Sequence, residues 1–389
     1  MCAGLLGAAK RPFDRSQAMS HFSAVDHAHM ANALCVAERG LFTTQPNPRV
    51  GCVLAHGDEV VGEGWHQRAG GPHAEVFALR EAGDRARGAT AYVTLEPCAH
   101  HGRTPPCADA LVAAGVKRVV IAAEDPFPQV AGRGIARLRE AGIAVETGLM
   151  RAAARELNIG FFSRIERGRP WLRVKLAMSL DGRTALANGE SKWITGEAAR
   201  ADVQRWRARS SAILTGSGTV LADNPRLTVR LPDDQAFTPP LRVVLDRQLR
   251  TPAGSHVLDG SVPTLVLHAA ALDETAVEGD AQADAFECVF VPESGDALDL
   301  SAVLGLLAER GCNEVQVEAG PVLCGALFAA GLVDELLLYV APLLLGDSAR
   351  PLLQLPSLDD MADRWRLQMI EQRQIGNDWR LRLRPASSA

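Results

Sequence analysis

The sequence has few aromatic residues, no excess of positive charge and no long uncharged hydrophobic run, and each shortage excludes a class of protein. Phe, Trp and Tyr make up 5% of the 389 residues, and the formal net charge is −5. A protein that follows a nucleic-acid backbone needs clustered basic charge, so a nucleic-acid partner is disfavoured. The longest uncharged apolar run, residues 336–346, contains Pro342 and is too short to cross a bilayer. It predicts a pair of buried strands and no membrane partner.

Cysteine is also sparse, because eight scattered cysteines are too few for a disulfide framework. A reducing, cytoplasmic compartment is therefore expected, where cysteines that act together bind metal or react. The basic pair Lys10 and Arg11 follows a short apolar stretch, whereas a signal peptide has the opposite order. We predict that residues 1–19 form a flexible tail.

The pattern of elements divides the chain into two blocks, in line with a prior of two or three domains at about 150 residues each. Strand patterns alternate with helical patterns in residues 20–165 and again in residues 168–385, which predicts two layered α/β domains. The charged segment 164–170 ends in Gly and Pro and is predicted to be the boundary. In the first block we predict helices at 26–39, 73–82, 107–114 and 135–141, and strands at 50–55, 59–64, 90–95, 116–122 and 144–147. In the second we predict helices at 198–209 and 298–310, and strands at 171–179, 212–215, 241–245, 264–268, 315–317 and 335–340.

The strongest chemical signal is His73 followed by Glu75, then Pro97-Cys98, then Cys107. One imidazole and two thiolates suit zinc, and three protein ligands leave the fourth position for water, as in catalytic sites. Zinc lowers the pKa of its bound water toward neutrality and so makes hydroxide available. Glu75 is then expected to carry protons instead of binding metal, which is the logic of the zinc nucleobase deaminases.

This site also makes a geometric demand, because residues two apart on a helix do not share a face. His73 and Glu75 converge only if a helix begins at the metal, and Pro72 favours such a beginning. Cys107 likewise opens a predicted helix, whose dipole favours a thiolate. A closed structural zinc site is the alternative, with His100 or His101 as the fourth ligand.

The second block is less informative on its own. It has no Gly-x-Gly-x-x-Gly after a strand, since Leu221 stands where the third glycine would be. Arg207 and Arg230 are possible phosphate ligands. Glu318 follows a predicted strand, and Gly320 after it would let backbone N–H groups approach an anion. These residues indicate only an α/β domain that binds a phosphorylated ligand.

Longer motifs carry a family resemblance. Eight residues, AHHGRTPP, separate the two cysteines, where general cytidine deaminases have two. That segment, with TTQPNPRVGCVL and GEGWHQRAGGPHAEV, resembles the bifunctional riboflavin-biosynthesis deaminase–reductases. The motifs KLAMSLDGRTA, GESKWITG, TGSGTVLADNPRLTVR and VEAGPVLCGAL resemble their reductase half, in the same order. The resemblance covers about residues 20 to 385. It implies an N-terminal cytidine-deaminase-like α/β domain and a C-terminal dihydrofolate-reductase-like α/β domain.

The resemblance also implies activities, cofactors and an oligomeric state. The first domain would use one zinc ion and its hydroxide to deaminate a diaminopyrimidine ribosylamine 5′-phosphate, with Glu75 passing the proton to the leaving ammonia. The second would then reduce the ribosyl side chain to ribityl with NADPH. The protein would be a homo-oligomer, at least a dimer.

The same resemblance assigns site residues. In the first domain Asn47 would bind substrate, and residues 100–104 would form a pocket wall. In the second domain the substrate would be held by Ser191, Arg207, Leu227, Arg230 and Glu318, with the two arginines on its 5′-phosphate. NADPH would contact Ala177, Trp193, Thr219, Asp223 and Arg247, with its phosphates on a turn formed by Gly320, Pro321, Val322, Leu323, Cys324, Gly325 and Ala326. The proton donors open for the reduction are Lys175, Asp223 and Glu318.

Three other functions remain open at this point. A deaminase of another nucleobase or nucleotide, with a non-catalytic second domain, keeps the zinc chemistry; on a nucleic acid it predicts a basic groove with stacking aromatics. A binding module predicts a structural zinc whose removal unfolds the first domain and a dispensable Glu75. In the third, one half is active and the other has lost its activity.

Overall fold

The computed structural model describes residues 22–99, 106–128, 130–232, 235–270 and 285–386. These residues form a five-stranded sheet, a nine-stranded sheet and two short two-stranded pairs. The predicted flexible tail, residues 1–19, and the predicted pocket wall, residues 100–104, lie outside the described residues. Two α/β domains are present, as the alternating pattern predicts.

The first sheet has the strand order β2-β1-β3-β4-β5, in which β1 is antiparallel to its two neighbours and the remaining pairs are parallel. Its strands are β1 Gly51–His56, β2 Glu59–Trp65, β3 Thr90–Leu95, β4 Arg118–Ala123 and β5 Ala144–Thr147. The helices around it are α1 Ala24–Glu38, α2 Ala74–Ala82, α3 Cys107–Ala113, α4 Arg133–Glu140, α5 Arg151–Leu157 and α6 Ile159–Arg167. Every strand and helix predicted here is present, with ends shifted by at most two residues.

Period-two alternation explains why this domain has three layers. Cys52 and Leu54 point from β1 into a core covered by α2, α3 and α4. Val53 and Ala55 point into the opposite core, covered by α1, α5 and α6. Because successive side chains of a strand face opposite sides of a sheet, one apolar strand serves two cores.

The predicted boundary at 164–170 is only partly a linker. Helix α6 continues to Arg167, and Gly168 then ends it in the left-handed conformation, with φ 68°. Phe161 and Phe162 are buried in the first domain and so anchor the helix. The charges of this segment therefore lie mostly on a helix end, and only residues 168–170 connect the domains.

The second sheet has the strand order β11-β10-β9-β8-β14-β6-β15-β18-β17, and its strands run in one direction except β18, which is antiparallel to both of its neighbours near one edge. Its strands are β6 Trp171–Ser179, β8 Ala212–Gly216, β9 Leu241–Leu245, β10 Thr264–His268, β11 Glu287–Phe290, β14 Glu314–Val317, β15 Glu335–Ala341, β17 Leu367–Ile375 and β18 Asp378–Pro385. The short pairs are β7 Arg183–Ala185 with β16 Arg350–Pro351, and β12 Glu293–Ser294 with β13 Ala297–Leu298. The helices are α7 Glu197–Arg209, α8 Ser217–Asp223, α9 Leu300–Glu309 and α10 Pro321–Ala329.

Two predictions for this domain are wrong. The run at 336–346 supplies one buried strand and not a pair: β15 ends at Ala341, and residues 342–346 lie outside it. β15 is buried because it lies between β6 and β18 and is apolar on both faces. Residues 320–326 are not a turn, since α10 begins at Pro321 with Gly320 as its N-cap. Among the described residues, no helix has both the length and the apolar character that crossing a bilayer requires.

Candidate active sites of the two domains

The three predicted metal ligands converge. His73 Nδ1 lies 3.2 Å from Cys107 Sγ and 3.6 Å from Cys98 Sγ, and the three donor atoms lie within 4.8 Å of one another. Zinc bonds of about 2.0 to 2.3 Å place tetrahedral ligands roughly 3 to 4 Å apart, so these donors fit one zinc ion. Of the residues that the structure describes, this is the only group of three or more His, Cys, Asp or Glu side chains so arranged.

Two helix beginnings bring these ligands together. His73 is the N-cap of α2, with extended backbone angles, and Cys107 is the first residue of α3. Helix α2 lies close against β2 because Gly64 has no side chain there; a Cβ on Gly64 would stand 2.5 Å from the carbonyl oxygen of Ala74. The positive ends of two helix dipoles therefore face the thiolates. A helix thus begins at the metal ligand His73, as the His-x-Glu spacing requires.

The pKa values of the two cysteine thiols are shifted in opposite directions. A hydrogen bond with the Cys107 side chain, opposed by burial, lowers the pKa of the Cys98 thiol to about 4. The same hydrogen bond raises the pKa of the Cys107 thiol. The backbone N–H of Cys107 also donates to Cys98 Sγ at 3.3 Å. The pair thus holds one proton between two sulfurs, and zinc binding would release it.

Glu75 is placed as a proton carrier would be. Its side chain is 3% exposed, and burial raises the pKa of its carboxyl group. Within the described part of the chain, its Oε2 atom has no hydrogen-bond partner. A buried carboxylate oxygen without a protein partner fits a site that a bound water completes. A raised pKa suits a group that takes up and returns a proton near neutral pH.

Asn47 lies beside this centre and is held by a histidine that the sequence analysis missed. Asn47 Nδ2 is 3.0 Å from His66 Nε2, and His66 Nδ1 is 3.0 Å from the carbonyl oxygen of Pro72. Burial lowers the pKa of His66, so its neutral ring donates to Pro72 and accepts from Asn47. Its ring meets that of His73 edge to face, with centroids 5.5 Å apart. The only sequence signal was a histidine just past the end of a strand.

In the second domain, a cavity of about 1080 Å³ opens at the carboxyl ends of β8, β9 and β14. In open α/β sheets, ligands bind at this edge. The predicted residues that line it are Lys175, Ala177, Ser191, Arg207, Thr219, Asp223, Leu227, Arg247, Glu318, Gly320, Pro321, Val322, Leu323 and Ala326. The cavity therefore gathers residues from all four reductase motifs into one site, together with Arg207 and Arg247.

A partly buried charge cluster lies in this cavity. Arg207 Nε and Nη2 donate to the two oxygens of Glu318 at 2.6 and 2.9 Å, and Nη1 donates to the carbonyl oxygen of Thr228. Burial would raise the pKa of Glu318, but Arg207 holds it at about 2. Burial lowers the pKa of the neighbouring Lys175. Arg207 thus has a carboxylate partner before any substrate phosphate is present.

Four of the residues predicted for the second site do not line this cavity in the described structure. Trp193 is 68% exposed, and the guanidinium group of Arg200 lies over its ring. The backbone N–H of Arg230 donates a hydrogen bond to Gln204 Oε1. Cys324 and Gly325 face the core, because residues 320–326 follow helical periodicity instead of a turn. Arg250, which the sequence analysis missed, lines the cavity and donates to Ser217 Oγ at 3.2 Å.

Two family models match the chain. Residues 23–123 match the cytidine and deoxycytidylate deaminase zinc-binding region, and residues 170–381 match the RibD C-terminal domain. The second match alone covers more than half of the chain.

Curated relatives match over nearly their whole length. The riboflavin biosynthesis protein RibD of Escherichia coli is 51% identical over 91% of this chain and 97% of its own length. RibD of Haemophilus influenzae is 47% identical over 94% and 99%.

Two solved structures are also similar to this chain over most of its length. RibD of Acinetobacter baumannii has a TM-score of 0.86 at 46% identity, covering 93% of this chain and 99% of that one. A Thermotoga maritima protein has a TM-score of 0.81 at 31% identity, with the same coverage. It is described as a diaminohydroxyphosphoribosylaminopyrimidine deaminase and 5-amino-6-(5-phosphoribosylamino)uracil reductase.

Proposed function

Because this chain belongs to the RibD family of bifunctional riboflavin-biosynthesis enzymes, we propose that it acts on the two substrates named for the Thermotoga maritima relative. The protein is a deaminase and a reductase in one chain. Its first domain removes an amino group from the diaminopyrimidine ribosylamine 5′-phosphate. Its second domain then reduces the ribosyl side chain of the resulting aminouracil to ribityl.

The observation that carries the deaminase assignment is the convergence of His73, Cys98 and Cys107 beside a buried carboxyl group. Zinc bound by these ligands supplies hydroxide at neutral pH. Glu75 accepts the proton of the attacking water and returns it to the leaving amine, because its raised pKa allows both steps. Asn47, oriented by His66, binds the pyrimidine.

In the second domain we assign NADPH to the cavity. Its volume of about 1080 Å³ has room for a dinucleotide and a second ligand. The N-terminus of α10, whose N-cap is Gly320, presents the backbone N–H groups of Val322 and Leu323 to the pyrophosphate, since Pro321 has none. Arg207, Ser191 and Leu227 face the same space and are assigned to the substrate.

Lys175 is the proton donor that we choose among the three candidates. Glu318 is ionised far below neutral pH, with a pKa of about 2, and has no proton to give. Lys175 is half-buried, and loss of solvent contact lowers the pKa of its ammonium group, which makes it a stronger acid than an exposed lysine. The hydride comes from the nicotinamide, and the protein holds the two carbons in line.

A coupled assay tests both halves. The purified protein is incubated with the diaminopyrimidine phosphate and NADPH, while ammonia release and NADPH absorbance are followed together. We expect ammonia first and NADPH loss after it. Ammonia without NADPH loss would refute the reductase assignment, and neither signal in a zinc-replete sample would refute the substrate assignment.

We also propose a homo-oligomer in a reducing, cytoplasmic compartment. Cys98 and Cys107 are free thiols, and thiols stay reduced in such a compartment. At the sheet edge, β17 and β18 expose the large apolar side chains of Leu367, Met369 and Trp379, and an exposed strand edge favours pairing with another chain. Light scattering tests the assembly; a monomer at micromolar concentration would contradict it.

A further inference from the structure

A short segment of the deaminase domain, residues 45–49, touches both the candidate zinc site and the reductase domain. We infer that the reductase domain completes the deaminase site by holding this segment, and that Glu314 is a positioning residue for deamination, acting through Arg49. The inference rests on the proposed deamination and on Asn47 as a substrate ligand. It differs from that proposal because it assigns a role in the first reaction to residues of the second domain.

The strongest contact is a buried ion pair. Arg49 Nη1 lies 2.7 Å from Glu314 Oε1, and the two side chains are 4% and 0% exposed. The remaining donors of Arg49 reach the carbonyl oxygens of Leu41, Leu157 and Arg209 at 2.9 to 3.2 Å. The guanidinium group is therefore fixed by both domains at once.

Separating Arg49 from Glu314 would cost much free energy. Arg173 and Arg209 also donate to its carboxylate, at 3.1 and 2.8 Å, and the arginines around it hold the pKa of Glu314 well below its usual range despite burial. A buried arginine drawn away from a permanently ionised partner would stand as an unpaired charge. The position of Arg49 is thus tied to strand β14 of the reductase domain.

The other end of the segment is held by neutral hydrogen bonds. Ser211 Oγ and Asn313 Nδ2 donate to Gln45 Oε1 at 2.8 and 3.0 Å, and Gln45 Nε2 donates to the carbonyl oxygen of Arg209 at 3.1 Å. Asn313 Nδ2 also donates to the carbonyl oxygen of Pro46 at 2.8 Å. Residues on both sides of Asn47 are therefore bound by the reductase domain.

Between these anchors, the segment faces the zinc site. Asn47 contacts His66, and the ring of His66 packs against the metal ligand His73. The contacts form a continuous path from Glu314 through Arg49 to the proposed substrate ligand. Catalysis requires near-ångström placement of such ligands, so loosening the anchors is expected to weaken substrate binding before it affects the metal.

The test uses Gln45→Ala and Arg49→Met, with Arg49→Lys as the conservative variant and Glu156→Gln as the matched control. Gln45 is only partly buried, so its substitution is not expected to unfold the protein. Glu156 also pairs across the domains, with Arg382 and Arg384, but it does not contact residues 45–49 in the described structure. Deamination is measured as ammonia release, and reduction as NADPH loss with the aminouracil phosphate supplied directly.

For Gln45→Ala and Arg49→Met we expect the KM of deamination to rise about tenfold, the change that loss of one or two hydrogen bonds produces. We expect its kcat to change less than about twofold, with unchanged zinc content and unchanged reductase kinetics. Arg49→Lys should recover most of the KM, because it restores the charge on Glu314. Glu156→Gln should match the wild type in both reactions.

The outcomes separate this inference from the proposed function. If the wild type releases no ammonia, the proposed function fails. If the wild type is active and both variants keep its KM, the reductase domain does not position the deaminase site. A parallel loss of zinc and of both activities would also overturn the inference, because it would show a general structural role.

Discussion

The two sites of this enzyme are built in different ways, and the difference decides how much of each is visible in the sequence. The zinc site takes its ligands and Glu75 from residues 73–107, and each is a residue type with distinct chemistry. The reductase cavity draws on residues from 175 to 352, and much of its lining is backbone or small apolar side chains. A metal site is therefore recognisable from residue types and order, whereas a cofactor cavity is recognisable only when its fold is known.

The largest expected effect separates chemistry from metal binding in the first site. Glu75→Gln leaves all three ligands in place, so zinc content should stay near one per chain. Ammonia release should fall by about 10² to 10⁴, the range that general acid–base catalysis contributes. Reduction of the supplied aminouracil phosphate serves as the internal control. A fully active variant would refute the proton-carrier role and would favour a structural zinc.

Removing zinc tests whether the two sites are independent. Chelation should abolish deamination while reduction continues. The cavity lies at the carboxyl ends of strands in the second sheet, and none of its described lining residues is a zinc ligand. Restoring zinc should restore ammonia release. If chelation unfolds the first domain, as judged by circular dichroism, the metal is structural as well as catalytic.

An intermediate effect is expected for Arg207→Ala in the second site. The substitution removes the partner of Glu318 and leaves its partly buried carboxylate beside Lys175. The KM for the phosphorylated substrate should rise about 10- to 100-fold, since hydrogen bonds to charged groups contribute about 1.5 to 3 kcal/mol. The KM for NADPH should change much less. Equal losses for both ligands would show that Arg207 supports the cavity and does not bind the phosphate.

A smaller effect concerns the pH dependence of reduction. Burial lowers the pKa of Lys175, so its protonated form is lost at a lower pH than for an exposed lysine. The reductase kcat should therefore fall as the pH rises, beginning below the ordinary lysine pKa of about 10.4. Lys175→Arg stays protonated throughout and should remove this decline while lowering kcat. An unchanged profile in Lys175→Arg would assign the decline to another group.

The sequence predicted all five described strands and four of the six described helices of the first domain, because these elements have clear period-two or helical patterns and the metal ligands are rare residue types. Helices α5 and α6 were not predicted. His66, Arg49 and Glu314 were not predicted. Arg49 and Glu314 are 265 positions apart and meet only through the packing of two domains. Their pairing has no local signal. Strand β17 was missed because its side chains are mostly exposed. Strand β18 was overlooked although Trp379, Leu381 and Leu383 alternate with charged residues and the two leucines pack against the core.

Helix α10 shows where the sequence was ambiguous. Its sequence, PVLCGALFA, is apolar on every side, so periodicity could not distinguish a buried helix from a turn. The helix nevertheless has two faces. Val322 lines the cavity and is 65% exposed, whereas Cys324 is fully buried in the core. The resemblance assigned both residues to NADPH, but only Val322 lines the cavity to which we assign the cofactor.

The smallest expected effect tests these two faces of α10. Cys324→Ala removes a buried sulfur and should lower the free energy of unfolding by about 1 kcal/mol, with no change in the KM for NADPH. Val322→Glu places a negative charge beside the proposed pyrophosphate site and should raise that KM with little change in stability. Thermal melts and NADPH titrations measure both quantities. If Cys324→Ala changed the KM and Val322→Glu did not, the cofactor would lie on the other face of the helix. The assignment of NADPH to the cavity would then be wrong.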